Sequence, residues 1–184
     1  LAQGREIGYA IVIVGLLGTL LALYKLYVLY VTGRAVRKQS KSKALNSNNP
    51  LGRVLNVGED HFSKDIATLE LKLAEAIMAE RPDIERYIGI VKIISVVAPL
   101  AGLLGTVTGM IVTFQQITLY GTGDPKLMAG GISQALVTTV LGLLVAIPTT
   151  LLHSFANSSA REIVGVLEEQ STGILAERAE SSFS

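Results

Sequence analysis

Residues 99–114 read PLAGLLGTVTGMIVTF, and this stretch decides the fold. It lies in an uncharged run, residues 93–114, which as a helix would be about 33 Å long and could cross a bilayer core of about 30 Å. Membrane helices approach each other through small residues, and here small residues recur at helical spacing. The stripe consists of Gly102, Thr106, Gly109 and Thr113, and Gly105 completes a GxxxG with Gly109. The stretch therefore predicts a membrane helix buried among others, with threonines facing a neighbour or a lumen.

The composition favours a membrane protein over a soluble domain. Of the 184 residues, 49% are hydrophobic and 17% are charged, whereas soluble domains carry about 25% charged residues. The mean hydropathy is +0.48. The absence of cysteine excludes disulfides and thiolate metal sites. With 16 basic and 15 acidic residues, the net charge gives no reason to expect a nucleic-acid partner.

A first apolar segment occupies residues 7–24 and continues past Lys25 to residue 31. A secretory signal peptide is a poor alternative, because a basic start, a short apolar region and a clear cleavage site are missing. We expect Lys25 to extend its ammonium group to the membrane interface. An interfacial aromatic cluster surrounds it in the sequence, formed by Tyr24, Tyr27 and Tyr30.

A basic run without any acidic residue follows this segment: Arg34, Arg37, Lys38, Lys41 and Lys43. The positive-inside rule places this flank in the cytoplasm and the N-terminus on the outer side of the membrane. The run could instead bind nucleic acid, but its position beside a membrane span favours an orientation signal.

The stretch between the first and second spans predicts a cytoplasmic part. Residues 39–49 predict a flexible connection that ends at Pro50. A helix then begins near Ser63, with an apolar face formed by Ile66, Leu69, Leu73, Ile77 and Met78. Residues 59–61, Glu-Asp-His, could form a metal cluster, although a solvated loop before a helix cap is the favoured interpretation. Arg81-Pro82-Asp83 predicts a helix break, with Pro82 in the first turn of the next helix.

A third span centres on residues 135–152 and carries a second small-residue stripe: Ala135, Thr139, Gly142 and Ala146. Thr138 lies about 100° around this helix from Thr139. Gln134 is near its outer end, and Pro148 is expected to bend or loosen its inner end.

The fold class is therefore an all-α membrane protein with three transmembrane helices and long cytoplasmic helical extensions, assembling as a ring. The turn before the third span predicts a short periplasmic hairpin; it matches neither phosphate-loop motif. The tail is expected to be amphipathic and to pack on the earlier cytoplasmic helix. The predicted segments are the first span (1–31), cytoplasmic loop and helices (32–92), second span (93–120), periplasmic turn (121–126), third span (127–155) and cytoplasmic tail (156–184).

No catalytic, metal or cofactor site is predicted, and the apolar stretches 7–31, 93–114 and 135–152 contain no Asp or Glu. Titratable groups inside a membrane usually mark ion pathways. These spans offer hydroxyl and amide groups instead, which orient water or a carboxylate but exchange no proton near neutral pH. The candidates for lining a proton pathway are Thr106, Thr113, Gln134, Thr138 and Thr139. A proton-exchanging group would have to come from another chain.

Two small-residue stripes on adjacent helices are what a self-assembling ring needs. Glycine and alanine permit close approach of helix backbones, and the two prolines mark positions where a helix bends or loosens. The residues assigned to helix packing are Pro99, Gly102, Gly105, Gly109, Gly142, Ala146 and Pro148.

Two motifs, PLAGLLGTVTGM at residues 99–110 and ISQALVTTVLGLLVAIP at residues 132–148, closely resemble the MotA/TolQ/ExbB proton-channel family, especially ExbB. The resemblance covers all three spans and their order. It implies a pentameric ring in the bacterial inner membrane around a single-span partner of the ExbD, TolR or MotB kind, whose aspartate carries the proton. By position, Thr106 and Thr139 correspond to lumen-lining threonines of the family. Their alternative role is bonding to carbonyls of their own helix.

Many ExbB members have glutamate where this chain has Gln134. The amide cannot carry a proton, so the resemblance implies at most a hydrogen-bonding role for this position.

The resemblance implies a motor subunit that uses the proton-motive force and acts through a TonB-like protein on outer-membrane transport, with lipid around it. A TolQ-like role in envelope integrity is the close alternative, and a non-conducting membrane scaffold is another. A flagellar stator fits less well, because the MotA type has four spans. Sodium is not excluded as the ion.

Overall fold

Helices account for the regular structure of the chain in this computed structural model, which describes residues 2–42, 45–121 and 125–181. The helices are α1 (Ala2–Gln39), α2 (Pro50–His61), α3 (Ile66–Glu85), α4 (Ile88–Tyr120) and α5 (Pro125–Ser181). Three of them contain segments long and apolar enough to cross a membrane: Gly8–Gln39, Ile88–Leu119 and Met128–Ser181. The predicted all-α fold with three spans is thereby confirmed.

The chain divides into two compact units. Unit 1 comprises Leu1–Tyr24 and Tyr87–Ser154, and unit 2 comprises Lys25–Arg86 and Phe155–Ser184. Because α1 and α5 are long, each contributes residues to both units.

Unit 1 is held together by close approach of α1, α4 and α5. A Cβ atom added to Gly18 of α1 would lie 2.9 Å from the Ile94 side chain of α4, and one added to Gly15 would overlap Val145 of α5. Large apolar side chains point outward along all three helices, as with Leu16, which is 62% exposed. In a membrane protein such outward apolar groups face lipid or another chain, because small residues make the internal contacts.

Unit 2 contains a helix that the sequence did not lead us to expect. Residues 50–61 form α2, whose N-cap is Asn49: its side-chain oxygen accepts a hydrogen bond from the Gly52 amide at 2.8 Å, and Pro50 follows at the first helical position. Asparagine followed by proline is a helix-start signal. The interpretation of residues 59–61 as a loop is therefore wrong, since they form the last turn of α2.

The core of unit 2 lies between α2, α3 and the parts of α1 and α5 that belong to this unit. Its fully buried side chains are Val36, Leu51, Val54, Leu69, Leu73 and Leu167. Met78, which was predicted to belong to the buried apolar face of α3, is instead 73% exposed.

At the start of α3 the Asp65 carboxylate accepts a hydrogen bond from the Thr68 amide at 3.0 Å, and hydrogen bonding to Thr68 lowers the pKa of Asp65.

The predicted helix break at Arg81-Pro82-Asp83 is wrong. Helix α3 continues through Pro82 to Glu85, and the break follows at Arg86 and Tyr87. Tyr87 has φ 69°, the left-handed region that an L-residue rarely adopts. Proline lacks one amide donor but does not by itself end a helix when it falls in the last turns.

The third apolar segment and the tail form one helix, since α5 runs without interruption from Pro125 to Ser181. In unit 2 this part of α5 meets the α2–α3 region through Arg178, whose guanidinium donates to the Lys64 carbonyl at 3.4 Å, and through the Arg81–Glu168 ion pair at 3.5 Å.

Lys25 does not extend to the solvent as expected. Its side chain is 4% exposed, and its ammonium group donates to the Asp83 carbonyl of α3 at 3.0 Å. The last carbonyls of a helix lack intrahelical partners and carry partial negative charge, so a buried cation satisfies one of them. Lys25 therefore anchors the C-terminal turn of α3 within unit 2.

We expect the Lys25→Met variant to loosen that turn, because methionine keeps an unbranched chain but donates no hydrogen bond. Amide hydrogen exchange at residues 83–86 should accelerate about tenfold, as expected for a lost hydrogen bond of roughly 1–2 kcal/mol. Lys72→Met is the matched control, since Lys72 forms an exposed pair with Glu75 at 2.8 Å, which contributes little. Equal exchange in the two variants would contradict the anchoring role.

Candidate functional site

The candidate site lies where α4 and α5 pack in antiparallel orientation within unit 1. A Cβ atom added to Gly102 would lie 2.9 Å from the Thr138 carbonyl oxygen, and one added to Gly142 would lie 2.7 Å from the Ala98 carbonyl oxygen. Further along, a Cβ on Gly109 would lie 2.7 Å from that of Ala135. The two backbones are thus in direct contact, and only glycine fits at Gly102 and Gly142.

This close approach brings Thr106 of α4 against Thr139 of α5. Their hydroxyl groups are hydrogen-bonded to each other. Each also lies within hydrogen-bonding distance of a carbonyl: the Thr106 hydroxyl is 3.2 Å from the Gly102 oxygen and 3.3 Å from the Ala135 oxygen, and the Thr139 hydroxyl is 3.2 Å from the Gly102 oxygen. Each hydroxyl has one hydrogen and donates to one of these acceptors at a time. Both side chains are half-buried. The pair therefore combines bonding within one helix with bonding between two helices.

Thr138 and Thr113 are placed differently. Thr138 is 2% exposed and donates to the Ala135 carbonyl at 2.6 Å, and a Cβ added to Gly105 of α4 would overlap its hydroxyl. Thr113 is 3% exposed and donates to the Gly109 carbonyl at 2.9 Å. The α4–α5 packing encloses both hydroxyls in the single chain. The assignment of these two residues to the lining of a lumen stays a prediction.

Gln134 is half-buried and lies on another side of α5. With Gly8, Tyr9, Val12 and Leu141 it lines a groove of about 220 Å³ between α1 and α5 in unit 1. The structure does not bring its amide into the Thr106–Thr139 hydrogen-bond network.

The remaining packing residues lie inside the helices. Pro99 is half-buried within α4, and Ala146 is 7% exposed within α5. Pro148 lies inside α5, where the next two threonines donate to carbonyls one turn back: Thr149 to Val145 at 2.7 Å and Thr150 to Ala146 at 2.7 Å. These are bonds from threonine side chains to carbonyls of their own helix, and neither reaches the Leu144 carbonyl, to which an amide at position 148 would donate.

Three of the predicted orientation residues, Arg34, Arg37 and Lys38, occupy the C-terminal end of α1 in unit 2, and Lys41 follows it. Arg34, Arg37, Lys38 and Lys41 are exposed, whereas Lys43 lies outside the described residues. Arg37 forms an ion pair with Glu162 of α5.

Three contributors to this packing were missed in the sequence. Gly15 and Gly18 of α1, three residues apart, pack on α5 and α4, and Gly131 of α5 abuts the Thr113 hydroxyl. Each of them is a glycine inside an apolar segment, but that feature alone does not predict a helix contact. Gly130 has the same feature, and nothing lies within 4 Å of a Cβ atom added to it.

The chemistry of the site is set by what it contains and by what the sequence omits. No Asp or Glu occurs in residues 7–58, 86–123 or 125–161. Two hydroxyls and the carbonyls around them can donate to and accept from a guest group, but none of them exchanges a proton near neutral pH. The site can therefore orient an acidic group supplied from outside the chain.

Comparison with known proteins gives a consistent result. A sequence model of the MotA/TolQ/ExbB proton channel family matches residues 46–169. An ExbB homologue of Methanothermobacter thermautotrophicus is 28% identical over 90% of this chain and 64% of its own length. An ExbB-like protein of Synechocystis is 38% identical over 54% of this chain and 49% of its own length. The biopolymer transport protein ExbB of Helicobacter pylori is 40% identical over 47% of this chain and 59% of its own length.

The chain thus spans about half to two thirds of the length of these relatives. The family match includes both motifs on which the resemblance was based, residues 99–110 and 132–148, and confirms that resemblance.

We expect Gly142→Ala to separate α4 from α5, because the new methyl group would meet a carbonyl oxygen that cannot move away. Overpacking of this kind costs about 1–3 kcal/mol, measurable as a lower midpoint of unfolding in detergent. The matched control is Gly130→Ala on the same helix, where nothing lies within 4 Å and alanine should be neutral or stabilising by up to about 1 kcal/mol. A Gly142→Ala protein as stable as this control would show that the backbones are not in contact.

Proposed function

The chain belongs to the MotA/TolQ/ExbB proton channel family, and we propose that it is an inner-membrane motor subunit that uses the proton-motive force to energise TonB-dependent outer-membrane transport. It is a multi-pass membrane protein with three apolar helices. In the proposed topology the N-terminus is periplasmic and the C-terminus cytoplasmic, because the basic end of α1 lies on the cytoplasmic side. In the proposed assembly, copies of the chain form a ring, most simply the pentamer that the family resemblance implies.

The observation that carries the proposal is the Thr106–Thr139 pair. Two helices each contribute one hydroxyl to the same half-buried point, next to carbonyls that already accept hydrogen bonds from them. A threonine hydroxyl can rotate from a carbonyl to a carboxylate, and bonds to an ionised acceptor are stronger than those between neutral groups. The pair is therefore suited to hold an ionised carboxylate inside the membrane and to release it once it is protonated.

The carboxylate is proposed to come from an ExbD-like partner with one membrane span. The apolar segments of this chain lie within residues 7–58, 86–123 and 125–161, which contain no Asp or Glu that could carry the proton. In a ring, the threonine pairs of successive copies would surround the partner helix at one level of the membrane. Protonation from outside then removes the charge that holds the partner helix, which is free to move to the next position.

The energy available to each step is modest but repeatable. One charge crossing the membrane potential releases about 2.3 kcal/mol per 100 mV, comparable to one or two charge-assisted hydrogen bonds. The proposed output is mechanical, a movement of the partner helix passed to a TonB-like protein. No catalytic residue of an enzyme takes part.

We expect Thr106→Val and Thr139→Val each to lower proton flux at least tenfold in vesicles that contain the ring with its partner, because valine keeps the shape of threonine but has no hydroxyl. Thr106→Ser, which keeps the hydroxyl, should retain most of the flux. Thr118→Val is the matched control on α4, since its exposed hydroxyl bonds to the Phe114 carbonyl of its own helix at 2.9 Å.

Two results would count against this function. Normal flux in both valine variants would remove the role of the pair, and normal energised uptake without measurable flux would favour a non-conducting scaffold. In cells, loss of envelope integrity with normal TonB-dependent uptake would assign the chain to the TolQ-like alternative.

The proposed topology is testable by labelling, because the chain contains no cysteine. Ser63→Cys and Lys126→Cys introduce single thiols at exposed positions, one before α3 and one in the first turn of α5. We expect an impermeant maleimide added to spheroplasts to label position 126 at once and position 63 only after lysis. The reverse pattern would invert the topology.

A further inference from the structure

A second groove lies in unit 2, between α1 and α5, and is separate from the threonine pair. It has a volume of about 110 Å³. Its α1 side is formed by Tyr30, Gly33 and Arg34, and its α5 side by Ser159, Glu162 and Ile163.

The depth of the groove depends on Gly33. A Cβ added there would meet only the Ile163 side chain, at 3.9 Å, so the missing side chain leaves space above an apolar floor. The Arg37–Glu162 ion pair connects the two helices across the groove. The result is a depression with an apolar floor and a polar rim.

Arg34 is the cation available at this rim. It donates to the Tyr30 hydroxyl at 3.2 Å, and its guanidinium carbon lies 5.5 Å from the centre of the Tyr30 ring. Within the described part of the chain it pairs with no carboxylate. A guanidinium group has five donors, and the Tyr30 contact uses one of them, so a planar fork remains for a phosphate group.

The groove lies where the exposed surface of α1 changes character. Tyr27 and Val31 are exposed, at 68% and 48%, and the next exposed large side chains along the chain are basic: Arg34, Arg37 and Lys38 on α1, and Lys41 just after it. On α5 the last large exposed apolar residue is Phe155, shortly before Ser159. Such a change from apolar to basic marks the level of lipid headgroups.

We propose that this groove binds the headgroup of an anionic phospholipid. The phosphate accepts hydrogen bonds from Arg34 and from the Tyr30 hydroxyl, the glycerol region covers Gly33 and Ile163, and an acyl chain follows Tyr27 and Val31 along α1. Charge selects the occupant: residues 7–58 contain no acidic residue, and Glu162 already pairs with Arg37. An acidic peptide would match the charge but not the apolar surface that leads into the groove.

The absence of tryptophan from the chain makes a direct test possible. Tyr30→Trp places one fluorophore at the groove. Tyr9→Trp places one on the exposed surface of the same helix, about 30 Å away and beyond the path proposed for the acyl chain. Each protein is reconstituted in phosphatidylcholine vesicles with brominated phosphatidylglycerol or brominated phosphatidylcholine as quencher. We expect phosphatidylglycerol to be preferred about fivefold at position 30 and not at position 9.

Two pairs of variants distinguish binding of phosphatidylglycerol in the groove from its general attraction to the basic residues. In the Tyr30→Trp background, Arg34→Gln and Gly33→Leu should abolish the preference. Lys41→Gln removes an equal charge just after the end of α1, outside the groove. Gly165→Leu adds an equal side chain where nothing lies within 4 Å. Both variants should retain the preference. Because Tyr30→Trp changes the site itself, native mass spectrometry of the chain with and without Arg34→Gln should show the same loss of retained phosphatidylglycerol.

Equal quenching by the two lipids at position 30 would overturn the proposal. So would an equal loss of preference in Lys41→Gln and Arg34→Gln, which would show that only the overall charge matters. If Gly33→Leu does not fold, the Arg34→Gln and Lys41→Gln comparison decides alone.

Discussion

The backbone contact between α4 and α5 is the constraint on which the rest of unit 1 depends. At Gly102 and Gly142 the two helices are so close that a methyl group on either would meet a carbonyl oxygen of the other. This contact places Thr106 and Thr139 within hydrogen-bonding reach, and the same approach encloses Thr138. In water, packing of this kind would be supported by burial of large apolar side chains. In lipid, close backbone approach and hydroxyl bonds between helices do more of that work.

A site made of hydroxyls and carbonyls has a specific limitation, which explains why the proposed mechanism needs two kinds of chain. A carboxylate inside the membrane is costly unless it is paired or hydrogen-bonded. In the proposed mechanism this chain supplies the hydrogen bonds and the partner supplies the acid, so the proposed ring would contain no unpaired carboxylate in the absence of the partner. The acid would then be held only where a ring of threonine pairs meets it. In this proposal the residues that would stabilise the ring belong to one chain, and the group that would bind and release the proton belongs to another.

Much of unit 1 could be predicted from the sequence, because glycine and threonine at i, i+4, i+7 and i+11 leave few other ways to pack in a membrane. The stripe that contains Gly102 and Gly109 is an example: it was expected to face a neighbouring helix, and both glycines lie against α5. Thr138 is a residue whose environment could not be predicted. Helix geometry places it about 100° from Thr139, but its hydroxyl is enclosed because Gly105 of α4 lies opposite it.

Unit 2 was harder to predict, since its local signals compete with tertiary contacts. Pro82 was interpreted as a helix break, yet the last turn of α3 is held by a hydrogen bond from Lys25, more than fifty residues away in sequence. No local pattern contains such a contact. The start of α2 was different: Asn49 and Pro50 carried a recognisable cap signal, which the polar composition of the preceding connection obscured.

The most direct test of the central claim is cross-linking between this chain and the partner helix in native membranes. The account predicts that Thr106→Cys forms a cross-linked product with a cysteine placed one helical turn from the partner's aspartate, whereas Leu104→Cys, on an outward face at 57% exposure, forms none. Efficient cross-linking at position 104 and none at position 106 would contradict it, because the partner would then lie outside the ring.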